Sequence, residues 1–129
     1  MMAHRVVLTD DAAIDLESLF DYIREHDAPA KAMHVLDEIQ RVFESLAGFP
    51  ERGVQPRELS SVGQHEYREV FFKPYRIIYR VIGDTVYVLL IADGRREMQA
   101  LLARRLLRER SQGRQAAPES QRGLGIVLF

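Results

Sequence analysis

No cysteine occurs in the 129 residues, which removes disulfide scaffolds, thiolate zinc sites and cysteine nucleophiles in one step. Histidine is sparse. His4, His26, His34 and His65 are scattered, with no pair at helical i, i+4 spacing, so neither a metal centre nor a metal cofactor is expected. No apolar run approaches the roughly 20 residues that a membrane-spanning helix needs. The opening MMAHRVVLTDDA lacks the apolar core of a secretory signal. A cytoplasmic protein without a membrane role is therefore expected. There is no Gly-rich phosphate loop, no Gly-x-Ser-x-Gly elbow and no paired-glycine nucleotide fingerprint. These absences argue against a small-molecule enzyme and against an organic cofactor.

What is present is ordinary in bulk and uneven in place. Apolar residues make up 47% and charged residues 29% of a chain with formal net charge −1, a soluble balance that suits one domain of this length. Between positions 10 and 27, seven acids stand against Arg24 alone, a surplus of six negative charges. Between 95 and 110, six arginines stand against Glu97 and Glu109, a surplus of four positive charges. Two arrangements produce such a split: an acidic face and a separate basic working face, or two helix faces that complement each other within the fold.

The pattern along the chain reads β, α, α, loop, β, β, β, α. Residues 5–8 suit a short first strand, and Thr9 or Asp10 can cap the helix that follows. Leu16, Leu19, Phe20 and Ile23 repeat at i, i+3, i+4, i+7, an amphipathic stripe. The HDAP segment breaks it, with Asp27 as the expected cap of a second helix and Pro29 in its first turn. Val35, Leu36, Ile39, Val42, Phe43 and Leu46 form that helix's apolar face, and the two helices are expected to pack as a hairpin. Residues 48–63, rich in Gly, Pro and Ser, read as a loop with one helical turn. Residues 66–72, 75–82 and 85–92 form a meander of three antiparallel strands turning at Lys73-Pro74 and Gly83-Asp84. The run VYVLLI is apolar at successive positions, as in a central strand covered on both faces. A closing helix carries Met98, Leu101, Leu102 and Leu106. Residues 1–110 are assigned to one two-layer α+β domain, a small antiparallel sheet with the N-terminal strand and helical hairpin packed on it and a C-terminal helix. Residues 111–129, ending in the apolar GLGIVLF, are expected to be a flexible tail.

Arg76, Ile78 and Arg80 share one face of their strand. Arg76 is costly to bury alone, so it is expected to reach a carboxylate such as Glu69 across the hairpin, a solvent cleft, or a phosphate-bearing partner.

The helical hairpin, the segment YREVFFKPYRIIYRV and the strand end IADGRRE resemble the RelE/ParE superfamily of toxins from bacterial toxin–antitoxin systems, across roughly residues 5–107. The resemblance implies that superfamily's fold, an antitoxin partner (ParD-like or similar) in a hetero-oligomer, and one of two activities. RelE-like members cut messenger RNA on the ribosome, and ParE-like members poison DNA gyrase. RNA cleavage by 2′-hydroxyl attack needs a base, cations for the phosphate and an acid for the leaving oxygen. Arg76 and Arg96 match the two arginines of the RelE pattern. The strand that should carry lysines reads EYREVFF, and the position of the closing-helix tyrosine falls near Leu102. The resemblance is therefore closest to the ParE branch, with a ribosome-dependent messenger RNA endonuclease as the alternative and a relic that only binds antitoxin as a third reading. For the ribonuclease, the candidate residues are Arg76, Arg96, His65 and Glu69. For contact with gyrase, directly or through DNA, they are Arg76, Arg95, Arg96, Arg104 and Arg105. For the antitoxin they are Leu16, Phe20, Ile23, Ile39 and Phe43.

Overall fold

The computed structural model describes residues 3–111. The elements are β1 (Arg5–Leu8), α1 (Asp10–His26), α2 (Pro29–Gly48), α3 (Arg57–Ser60), β2 (Tyr67–Phe72), β3 (Tyr75–Ile82), β4 (Thr85–Asp93) and α4 (Met98–Ser111). The expected order is kept, and α3 is the helical turn foreseen in the loop. Ser111 ends α4, and the rest of the segment expected to be a tail lies outside the described residues. No helix among the described residues is long and apolar enough to cross a membrane.

Local chemistry accounts for the helix ends. The Thr9 hydroxyl accepts the Ala12 N–H at 3.2 Å, and Asp10 and Asp11 sit in the first turn of α1, where negative charge offsets the helix dipole. Asp27 does not cap α2. It closes α1 instead, its N–H donating to the Ile23 carbonyl, and its carboxylate meets Lys31 at 3.0 Å. The N-cap of α2 is Ala28 at φ −154°, ψ 148°, because the residue before a proline is driven out of the helical region.

The sheet is four-stranded in the order β1-β4-β3-β2. β2, β3 and β4 form the expected antiparallel meander, while β1 runs parallel to β4, from Arg5 opposite Thr85 to Leu8 opposite Val88. The sheet is thus mixed rather than wholly antiparallel. The helical hairpin explains the direction of β1: α2 ends where β1 begins, with the His4 N–H donating to Ala47 at 2.9 Å. β2 then sets off in the direction of β1, and two hairpin reversals give β4 that direction too.

Both faces of β4 are covered. On one face Val6, Val86, Val88, Ile77, Tyr79 and Ile91 pack against Ile23, Val35, Ile39, Phe43 and Leu46 of α1 and α2. On the other, Ile78, Leu90 and Ala92 pack against Leu59, Met98, Leu101 and Leu102 of α3 and α4. Helices on both faces make three layers rather than the two expected, because α3 and α4 cover the face that the helical hairpin leaves open.

A bulge at Leu89 interrupts the regular alternation of faces along β4. Ile78 pairs with Leu90 and Tyr79 with Val88, so Leu89 is the extra residue and the alternation of faces resets beyond it. β1 has already ended there. The Ile91 N–H instead donates to Asp15 Oδ2 at 3.0 Å, and the Leu89 carbonyl accepts from Arg105 Nη1 at 2.7 Å. Arg105 also grips Asp15 through two hydrogen bonds of 2.8 and 3.0 Å. One ion pair therefore joins α1, β4 and α4.

Replacing Arg105 with alanine leaves the Asp15 carboxylate unpaired and the Leu89 carbonyl without its side-chain donor. The expected loss is about 3–5 kcal/mol in urea denaturation, with a coupling to Asp15→Ala of roughly 1 kcal/mol or more in a double-mutant cycle. A loss within experimental error would show that the pair does not hold these three elements together.

Candidate functional site

A polar cleft of about 570 Å³ opens between α3, the start of β3 and the turn from β4 into α4, lined by Arg57, Glu58, Ser61, Arg76, Arg96 and Gln99 among others. Arg76 forms its floor. Its guanidinium donates to both oxygens of Glu58 at 2.8 and 2.9 Å and, through Nε, to Glu69 at 2.7 Å. The pairing with Glu69 allowed by the strand register is present, and Glu58 completes a bidentate clamp. Hydrogen bonding to Arg76 outweighs burial and holds the Glu58 carboxyl down at about 2, while the same bond, opposed by burial, raises the Arg76 pKa above its usual value.

Two glycines make room for this network. A Cβ on Gly94 would lie 2.9 Å from Cδ of Arg76, so the chain crosses the arginine stem only without a side chain there. A Cβ on Gly53 would lie 2.7 Å from the Glu69 carbonyl and 2.6 Å from the Tyr79 hydroxyl. That hydroxyl accepts the Gly53 N–H at 2.9 Å and donates to the Pro50 carbonyl at 2.7 Å. The 49–54 loop is thereby tied to β3, and Val54 exchanges backbone hydrogen bonds with Glu69.

The ribonuclease candidates are not assembled into a proton-transfer site. Arg76 and Glu69 meet, but each is engaged by the other, and Glu69 is buried. His65 is exposed beyond the start of β2, its ring near Gln55 at 3.4 Å. Tyr67 pairs with Arg80, which places His65 past the strand end opposite to Arg76. Arg68, in the strand expected to hold lysines, donates to the Glu51 and Gly53 carbonyls. Leu102 is buried in the second core.

Among the arginines read as target contacts, Arg76 and Arg105 are engaged internally, each with a side chain only 12–14% exposed. Arg95 is exposed but bound to Asp93, its Nε and backbone N–H both reaching Oδ1 at 2.9 Å. Arg96 and Arg104 are exposed and make no side-chain hydrogen bond or ion pair among the described residues. Arg57, absent from the sequence-based set, joins Arg96 at the cleft. Nothing in a loop reading PRELS marks it, because its place depends on Glu58 meeting Arg76 across 18 residues. The acidic and basic segments meet within the fold: Arg105 pairs with Asp15, and Arg108 with Asp11 at 2.9 and 3.0 Å.

The residues read as antitoxin contacts divide. Ile23, Ile39 and Phe43 are core, at most 5% exposed, so a partner cannot reach them in this fold. Leu16 and Phe20 are partly exposed and line a second, apolar cleft of about 440 Å³ with Ala13, Ile14 and Leu36, rimmed by Asp10 and Glu17.

Three comparisons bear on this architecture. The family described as "ParE toxin of type II toxin-antitoxin system, parDE" matches residues 6–98. Toxin ParE3 of Caulobacter vibrioides is 31% identical over 101 residues, spanning 78% of this chain and 97% of its own. A solved structure described as "Chromosomal ParDE TA system from P. aeruginosa" is similar in fold, with a TM-score of 0.58 and 24% identity over 72% of this chain and 96% of its own.

The depressed Glu58 pKa sets a pH window. Its folded value of about 2 lies below the ordinary 4.5, so its contribution to stability is complete above about pH 4.5 and is lost as pH falls towards 2. Glu58→Gln is expected to lower stability at neutral pH and to flatten the acid limb between those values in pH-dependent denaturation. An unchanged slope would separate Glu58 from acid unfolding. Gly94→Ala, which pushes a methyl into the Arg76 stem, is expected to cost about 1–3 kcal/mol in the same measurement.

Proposed function

The chain belongs to the ParE toxin family of type II toxin–antitoxin systems, and on that premise we propose that it arrests growth by binding DNA gyrase in the cytoplasm and is neutralised by a ParD-like antitoxin. The observation that carries the choice against RNA cleavage is the clamped Arg76. The two carboxylates that the guanidinium binds offset its charge and are themselves held by it, and no histidine, lysine or tyrosine lines the cleft among the described residues. Transition-state stabilisation of a phosphoryl group needs the reverse. What remains at the cleft is a cationic rim, Arg57 and Arg96, with Arg104 further along α4. Arginines so placed suit an acidic protein surface or the DNA phosphates of a gyrase–DNA assembly. They act as contacts, with no bond made or broken by the toxin.

On the same reading the antitoxin occupies the α1–α2 cleft. A segment carrying apolar residues for Ala13, Ile14, Leu16 and Phe20, and basic ones for Asp10 and Glu17, fits it, folding as it binds. The product is a hetero-oligomer in which toxin activity is masked.

Gyrase supercoiling with accumulation of cleaved DNA, assayed beside cleavage of ribosome-bound message, tests the target. Gyrase inhibition without message cleavage is expected. Message cleavage with gyrase unaffected would establish the endonuclease alternative, and silence in both would leave a protein that only binds antitoxin. The double substitution Arg57→Ala, Arg96→Ala is expected to raise the concentration needed for gyrase inhibition at least ~10-fold, about 1.4 kcal/mol, with antitoxin affinity unchanged. Loss of antitoxin binding instead would move these arginines into the antitoxin interface.

A further inference from the structure

Where α1 turns into α2, aromatic rings collect beside the β2–β3 turn. Tyr22 and His26, one turn apart on α1, stack with centroids 4.2 Å apart and planes inclined by 19°. The His26 Nδ1 lies 3.0 Å from the Tyr22 carbonyl oxygen, a hydrogen bond that fixes the stack, and Tyr22 is still 60% exposed. Phe72 and Tyr75 flank the turn with centroids 6.4 Å apart and planes inclined by 28°, and His34 of α2 meets Phe72 edge-on at 6.3 Å.

Cations are interleaved with these rings. The chain has two lysines, Lys31 and Lys73, and both stand here. Lys31 lies within electrostatic range of the Tyr75 hydroxyl, and Arg95 within range of those of Tyr75 and Tyr22, so the two ring pairs belong to one surface. Lys73 is exposed in the turn itself and has no carboxylate partner among the described residues. Lys31 is paired with Asp27, and Arg95 with Asp93. Exposed pairs of this kind are worth about 0–1 kcal/mol, so each cation can exchange its carboxylate for a phosphate. The neighbours Arg95 and Arg96 thus serve different surfaces, Arg96 the polar cleft and Arg95 the ring cluster.

We propose that this surface binds an unpaired nucleic-acid strand, with bases stacked on Tyr22 and Tyr75 and phosphates held by Lys31, Lys73 and Arg95. A ring face set among cations matches a nucleotide, whose base is flat and whose backbone is anionic. An apolar peptide is a poorer match, because Asp27, Lys31, Asp93 and Arg95 would have to be desolvated beneath it. A duplex is poorer too, since its bases already stack on one another and its phosphates alone are offered. Binding is tolerant of base identity, because every base has a face to stack, and it weakens as salt rises.

Reductive ¹³C-methylation keeps the lysine charge and labels Lys31 and Lys73 within the site. Full-length labelled protein is titrated at low salt with oligothymidylate, oligouridylate and a DNA duplex, each about 12 nucleotides long. Expected are shifts of both lysine methyl resonances with the single strands, the tighter of the two identifying the sugar, and markedly weaker binding of the duplex. Tyr22→Ala is expected to weaken single-strand binding at least ~5-fold, the loss of one stacked base, and Tyr22→Phe to retain it. Tyr22 is exposed, so neither change removes a core contact. The double substitution Arg57→Ala, Arg96→Ala is expected to leave this binding unchanged. Unmoved lysine resonances, equal affinity for the duplex or indifference to Tyr22→Ala overturns the proposal, and loss of binding in the double arginine variant overturns it in favour of the polar cleft. Neither antitoxin nor gyrase takes part, so failure here is distinct from failure of the functional reading.

Discussion

The continuation of β4 past the end of β1 creates a local demand that the Asp15–Arg105 pair meets, and much of the fold depends on how it is met. β1 stops at Leu8 opposite Val88, and the bulge at Leu89 follows at once. A buried backbone group without a partner costs about 1–3 kcal/mol. The Ile91 N–H and the Leu89 carbonyl find theirs in side chains from helices packed on opposite sides of the sheet. Those two side chains also neutralise each other, so neither brings an isolated charge into a low-dielectric setting. α1 cannot slide along β4, and α4 cannot lift from it, without stranding a charge and a backbone group together.

The same economy of charge governs the polar cleft. Arg76 sits on a strand whose neighbours are core, and a lone cation there would be expensive to desolvate. Glu69 from β2 and Glu58 from α3 remove that cost, and Gly94 lets the chain pass over the stem that joins them. Arg76 thereby ties β2, β3 and α3 together, while Arg57 and Arg96, which line the same cleft, face solvent. The acid-rich first helix and the arginine-rich last helix follow the same rule: part of the apparent polarity of the chain is used in holding α1 to α4.

Much of the fold was legible in particular stretches. Leu16, Phe20 and Ile23 announced α1 through their 3.6-residue period, the uninterrupted VYVLLI announced a strand covered on both faces, and Lys73-Pro74 and Gly83-Asp84 announced two hairpins. The YRIIYRV and GRRE phrases pointed to the family that the comparisons establish. The cap of α2 was misjudged because proline's effect on Ala28 outweighed the intrinsic preference of Asp27. The bulge at Leu89 was illegible, since nothing distinguishes one apolar residue among six. Arg57 and Glu58 were missed for a related reason: their meaning comes from a contact 18 residues away.

The sequence by itself determined which segments are helix and strand, that a metal or thiol site was not to be expected, and that arginines cluster at the end of β4. These follow from periodicity, composition and local sterics, all of which act within a few residues. Tertiary structure alone decided that β1 lies parallel to β4, which arginines are tied to carboxylates and which face solvent, and that Ile39 and Phe43 are core while Leu16 and Phe20 line a cleft. Burial and pairing are properties of what packs opposite a residue. An amphipathic stripe shows that one face of a helix will be covered, and only the partner element decides how far round the helix that cover extends.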